Sequence, residues 1–260
     1  MKYSIQCKDN MNRFSENCNN KIILGVDEVG RGSLIGEVFV CSILLGDKAN
    51  IQSVDDSKKL TKAQRESIFD AIIKDSICTV AFGTLKQIEK KNILHATLDT
   101  MKRSATELRR IVLEKDKESI RDTLHIKLIQ ENIENEKTMT FGNPAILDEI
   151  CDDKFVFLID GNKEPSINLD KVQTVTQVKG DSKFYEIAAA SIVAKVARDL
   201  YIEKVLHPKH PQYHWDLNFG YATKKHIAAI QKNGSTDLHR KGFKVKALEL
   251  NVPKQEEFAF

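Results

Sequence analysis

The sequence predicts an α/β core followed by a basic helical extension. Three observations carry this expectation. Short, nearly continuous apolar runs at 22–26, 38–45, 77–82 and 155–159 suit buried strands. Longer segments repeat apolar residues every three or four positions, as helices do. After Pro208 and Pro211 the composition turns basic and aromatic.

In order, residues 1–20 read as an extension, and Ile22, Ile23, Leu24 and Val26 form a strand that ends in Asp27 and Glu28. Residues 38–45 form the next strand. A loop covers 50–57, and Thr61 caps a helix that runs to about Ile73. Residues 77–82 are a third strand. The stretch 88–113 is helical through Ile93, Leu94, Leu98, Met101 and Leu108. From 114 to 137 the chain is strongly charged, yet Ile120, Leu124, Leu128 and Glu131 recur at about four-residue spacing, which predicts an accessory helix. Residues 155–159 and 172–178 read as strands. A central helix is expected from about 182 to 206, where Ala188, Ala189 and Ala190 permit close packing on a sheet. The expected divisions are therefore 1–20, a core over 21–203 with a charged insertion at about 114–150, a basic extension over 204–246 and a tail over 247–260.

The 260 residues suffice for one large domain or two modest ones. With 41% hydrophobic and 30% charged residues, 12 Gly and 5 Pro, the chain is neither collagen-like, wholly disordered nor a membrane bundle. A formal charge of +3 identifies no partner, so any nucleic-acid footprint must be local. Such a footprint is visible over 204–246, where nine Lys or Arg face two Asp and five of the seven histidines gather. Cys7, Cys18, Cys41, Cys78 and Cys151 form no CxxC pair, which argues against a zinc cage and fits a reducing compartment. The first residues contain no continuous apolar run for export or anchoring, so a cytoplasmic protein is expected.

Chemistry concentrates in three places. ILGVDEVGRG delivers Asp27 and Glu28 from an apolar strand into the turn Gly30, Arg31, Gly32. FVFLIDGN places Asp160 at the end of another strand, and VKGDSKF sets Asp181 just before the alanine-rich helix. Neighbouring strand residues face opposite ways, so Asp27 and Glu28 can share a site if the strand ends between them or if one of them contributes through its backbone carbonyl. Buried carboxylates gathered together repel one another unless cations compensate. Oxygen ligands without Cys or regular His spacing favour Mg²⁺ or Mn²⁺ over zinc. Two such ions about 4 Å apart can activate water and stabilise the leaving oxygen of a phosphodiester. Taken singly, Asp160 and Asp181 read more readily as loop residues or helix caps, Glu28 beside Asp27 reads equally either way, and the combination is stronger than its parts. Gly30, Gly32 and Gly36 miss the spacing of a dinucleotide-binding turn, and no phosphate-loop sequence accompanies the Asp-Glu pair.

DEVGRG at 27–32, DDSKKL at 55–60, LIDGN at 158–162, KGDSKFYEIAAASIVAKVARD at 179–199, GYATKKH at 220–226 and HRKGF at 239–243 together resemble ribonuclease HII, the type II ribonucleases H. The resemblance implies an RNase H-like mixed sheet flanked by helices. It also implies Mg²⁺ or Mn²⁺, two ions when substrate is bound, and cleavage of RNA in RNA–DNA hybrids and 5′ to single ribonucleotides in duplex DNA. It places Asp27, Glu28, Asp160 and Asp181 as the catalytic metal ligands. Gly30, Arg31 and Gly32 would read the ribose 2′-hydroxyl, and Tyr221 would stack on the neighbouring deoxyribose.

On that reading Asp27 bridges the ions, Glu28 and Asp160 hold the one near the leaving oxygen, and Asp181 holds the one that activates water. The products carry a 3′-hydroxyl and a 5′-phosphate. Lys58, Lys59, Lys179, Lys183, Lys224, Lys225, His226 and Arg240 are candidate phosphate contacts, each equally explained as surface or structural. Lys195, Arg198 and Asp199 are expected in a structural network, and Ser182 and Ser191 in capping or packing. The sequence departs from the family pattern at Ser33, Glu37, Phe219 and Gly242. The expected partners are RNA–DNA hybrid and ribonucleotide-containing duplex DNA, with no membrane and a monomeric state. The competing readings are another RNase H-like nuclease or strand-transfer enzyme, and a noncatalytic hybrid-binding module.

Overall fold

The computed structural model describes residues 13–14, 20–46 and 61–243. Lys58, Lys59, most of the first 20 residues and the tail after 243 lie outside the described residues. The frame is a six-stranded sheet of order β4-β3-β2-β1-β5-β6. Its strands are β1 (Ile22–Val29), β2 (Val38–Leu45), β3 (Ser76–Gly83), β4 (Met139–Gly142), β5 (Phe155–Asp160) and β6 (Val172–Gln177). The first four pair antiparallel, whereas β1, β5 and β6 are parallel, so the sheet is mixed.

Helices cover both faces. On one side lie α1 (Lys62–Lys74), α3 (Ile126–Glu134) and α5 (Tyr185–Tyr201). On the other lie α2 (Leu85–Glu114) and α4 (Ile146–Glu149). Leu24 and Val26 pack towards α2 with Met101, Leu108 and Phe157. Gly25 points the opposite way, and a Cβ there would overlap the Glu186 carbonyl of α5. The alanine triplet and this glycine let α5 lie directly on β1. Thr61 caps α1 in a full capping box with Gln64, as its position in the sequence anticipates.

Several expectations are revised. The helix expected over 88–113 starts at Leu85 and is interrupted at Asn92, whose φ is 66°. Asn92 Oδ1 accepts from the His95 N–H at 3.1 Å and starts the second half, a side-chain cap that periodicity does not reveal. The accessory helix expected through 114–137 shrinks to α3. Ile120 is buried ahead of it, and Arg121 forms a bridge with Phe141. The charged segment also contributes β4, which extends the sheet beside β3. The central helix begins at Tyr185, because Gly180–Ser182 forms a separate 3₁₀ turn, and it continues into a π-helical turn at Ile202–Leu206.

The basic extension contains α6 (Trp215–Asn218) and α7 (Lys224–Asn233). It is bound to the segment between β1 and β2. Leu34 N–H donates to the Gly220 carbonyl at 2.8 Å, Gly36 N–H to Leu238 at 3.0 Å and Arg240 N–H to Leu34 at 2.8 Å. The extension thus lines the segment that follows β1.

Candidate active site

Register brings two of the acids together. Val26 pairs with Ile159 across parallel β1 and β5, so Asp27 and Asp160 follow at the same level and on the same side. Both lie at or near the carboxyl ends of their strands. Glu28 points to the other face of β1 and, with Asp160, borders a cavity of about 140 Å³ under Leu94, Thr97 and Met101 of α2. Asp181 is buried on the 3₁₀ turn before α5. That turn is tied to the site because Gly180 N–H donates to Asp160 Oδ1 at 2.6 Å.

Electrostatics shows that three carboxylates sense one another. Burial pushes the Asp27 carboxyl well above the ordinary range, and the charges of Glu28 and Asp160 push it further. A hydrogen bond from Ser191 opposes the rise. Burial likewise raises Glu28, against the pull of Arg31, with Asp160 adding to the rise. Arg31 Nη1 lies 3.0 Å from Glu28 Oε1. Among the described residues, no three His, Cys, Asp or Glu side chains form a ready-made metal cage. The donor set of Asp27, Glu28 and Asp160 nevertheless fits a hard divalent cation. Its oxygens are held in surplus negative charge that such a cation would relieve.

The turn at Gly30, Arg31 and Gly32 follows β1 directly, with Gly30 at φ 94°. The Arg31 side chain is half exposed. Two other arginines hold the turn from below. Arg240 donates to the carbonyls of Arg31 at 3.0 Å, Ser33 at 2.9 Å and Gly36 at 2.8 Å. Arg198 donates to the carbonyls of Ile35, Glu37 and Phe219 at 3.1–3.2 Å. Tyr221 is half buried beside the turn, bridged to Ser33, and the Arg198 guanidinium lies 5.7 Å from its ring centre. Lys195 Nζ sits 4.7 Å from the ring centre of Phe219, so an aromatic at that departure from the family pattern is matched by a cation from α5.

Two expected phosphate contacts are corrected. Arg240 is only 4% exposed, and its guanidinium is committed to the carbonyls of the turn. His226 is fully buried. Its Nε2 accepts from Trp215 Nε1 at 3.0 Å, which leaves Nδ1 to donate to the Tyr221 carbonyl at 3.0 Å. Lys179, Lys183, Lys224 and Lys225 are exposed. Lys195 pairs with Asp199 at 2.6 Å as expected, whereas Arg198 turns to carbonyls. Ser191 and Arg198 are the site residues sequence reasoning left in structural roles. Their one signal was polarity on an otherwise apolar helix face.

Comparison with known proteins shows the family of the chain and relatives of its fold. The family model described as Ribonuclease HII matches residues 24–246. A ribonuclease HII from Pelagibacter ubique is 40% identical over 223 residues, covering 86% of this chain and 96% of that protein. Among solved structures, the ribonuclease HII in the PCNA complex from Archaeoglobus fulgidus aligns with a TM-score of 0.51 and 20% identity, over 86% of this chain and 96% of its own. Bst-RNase HIII in complex with Mn²⁺ aligns at 0.53 and 16% identity, over 88% of this chain and 68% of its own. These two share the fold. The family match over most of the chain and the 40% identity together go further: the chain belongs to the ribonuclease HII family.

Proposed function

We propose that this metal-dependent endoribonuclease cuts RNA in RNA–DNA hybrids and also cuts 5′ to a single ribonucleotide in duplex DNA, leaving 3′-hydroxyl and 5′-phosphate ends. The observation that carries the proposal is the strand register that sets Asp27 beside Asp160, with Glu28 near enough for its charge to raise Asp27 further, next to a glycine-rich turn and a half-buried tyrosine. Asp27, Glu28 and Asp160, with Asp181 from the start of α5, would hold the divalent cations, Mg²⁺ or Mn²⁺. When bound, these supply Lewis-acid polarisation of the scissile phosphate and of the attacking water.

The chain's own groups select the bond. Backbone N–H and C=O groups of Gly30 and Gly32 approach the 2′-hydroxyl, which marks the nucleotide as RNA. Gly32 has open space where a Cβ would stand, so the strand can come close. Arg31 reaches outwards to a phosphate, and Tyr221 supplies a flat surface for the next sugar. Exposed Lys179, Lys183, Lys224 and Lys225 grip the backbone. The reading includes action as a monomer in the cytoplasm. No helix among the described residues is long and apolar enough to cross a membrane.

The test is cleavage of a duplex carrying one ribonucleotide against the same duplex made wholly of DNA, with product ends mapped. Cleavage of the first alone, 5′ to the ribonucleotide, supports the reading. Equal rates would remove the claim of sugar discrimination.

A further inference from the structure

Arg198 lies between the two elements assigned to sugar recognition. A Cβ on Gly30 would overlap its Nε, so the turn rests directly on the guanidinium. On its other side the same group faces the Tyr221 ring, 5.7 Å from the ring centre, and donates to the Phe219 carbonyl at 3.1 Å. Its remaining bonds, at 3.2 Å, go to the Ile35 and Glu37 carbonyls at the exit of the turn. The side chain is fully buried, and α5, which carries it, also places Ser191 against Asp27. One rigid planar fork therefore touches the turn, the 219–221 segment and the helix that braces the carboxylates.

We propose that Arg198 is a positioning residue that fixes the distance between the Gly30-Arg31-Gly32 turn and Tyr221, and so sets the preference for a ribonucleotide followed by a deoxyribonucleotide. The proposal rests on the assignment of the turn to the 2′-hydroxyl and of Tyr221 to the neighbouring sugar. A continuous hybrid presents a 2′-hydroxyl at every nucleotide, so a loosened turn still finds a productive register. A duplex with one ribonucleotide offers a single register in which both elements engage, and it suffers first when their spacing slackens. Lysine keeps the charge at 198 but cannot reach three carbonyls in one plane. The requirement for glycine at position 30 then has a second cause besides access for the sugar, namely room for this guanidinium.

The experiment measures kcat/KM for full-length wild type and Arg198→Lys on a single-ribonucleotide duplex and on a continuous RNA–DNA hybrid, with thermal unfolding of each protein. The expected result is a loss on the single-ribonucleotide duplex about tenfold greater than on the hybrid. A residue that merely stabilises the fold would lower both substrates in proportion, and an unchanged ratio would overturn the proposal. Ser33→Ala provides a milder change at the same junction, since Ser33 Oγ donates to the Ile35 carbonyl at 3.1 Å and faces the Phe219 carbonyl at 3.4 Å. It is expected to shift the ratio about threefold in the same direction. Should Arg198→Lys fail to fold, an unshifted ratio in Ser33→Ala decides against the proposal. Wild type that cuts all-DNA duplex as fast as the single-ribonucleotide duplex would instead overturn the underlying assignment of the turn.

Discussion

Asp27 and Asp160 stand side by side on neighbouring parallel strands, one residue beyond the paired Val26 and Ile159. Strand pairing, rather than a flexible loop, sets their separation, so their mutual repulsion is built into the sheet. That repulsion has consequences for stability, metal affinity and catalysis.

Asp27→Asn is expected to abolish cleavage while making the metal-free protein more stable. The folded-state proton affinity of Asp27 is raised, so above the usual carboxylate range the folded chain holds a proton that the unfolded chain releases, and stability falls as pH rises from about 4. Removing the charge removes this penalty. Thermal unfolding at pH 7 without divalent ions should show the variant melting higher by about 3–8 °C. A lower melting point would contradict the repulsion.

The grip on phosphate should reside in exposed lysines and not in buried groups. Lys224→Ala and Lys225→Ala are each expected to reduce the slope of log affinity against log salt by about one. Arg240→Lys should leave that slope unchanged and lower stability by roughly 1–3 kcal/mol, because carbonyls of the turn lose their donors. Duplex binding between low and physiological salt, with denaturant unfolding alongside, checks both halves.

Acid should loosen the extension. Burial, with His226 and His210 nearby, pushes His239 down to about 4. Between that value and 6.5 the unfolded chain binds more protons, so this contribution to stability is full above pH 6.5 and declines as pH falls towards 4. His239→Asn, whose Oδ1 can still accept from the Thr236 N–H, should lose roughly 1–3 kcal/mol less than wild type between pH 7 and 4. Parallel unfolding curves across that range would refute the assignment.

Tyr221 is expected to work through its ring. Tyr221→Phe should cleave at near-normal rate, while Tyr221→Ala should lose about tenfold to a hundredfold in kcat/KM, in line with the worth of one stacking contact. Steady-state kinetics on a single-ribonucleotide duplex separates these outcomes.

Much of the fold was legible because buried strands advertise themselves as apolar runs: β2 spans the residues expected of it, and β1, β3 and β5 differ only at their ends. Four-residue β4 was hidden in a charged segment, since its sequence MTFG offers too little alternation and its pairing with β3 is decided by tertiary contact. The acids were visible as charges that interrupt apolar strands, and their register supplied the geometry. Arg240 and His226 misled for one shared reason. Their residue types favour surfaces and phosphates, whereas their burial depends on carbonyls and an indole contributed by distant or folded-back segments.

The crowded charge of Asp27, Glu28 and Asp160 is proposed to hold the divalent cation on which cleavage depends. Titrating Mn²⁺ into wild type and Asp160→Asn at pH 7, followed by calorimetry, tests it without any turnover. Affinity weaker by at least about tenfold in the variant is the expected result, and equal affinity in the two proteins would contradict the claim.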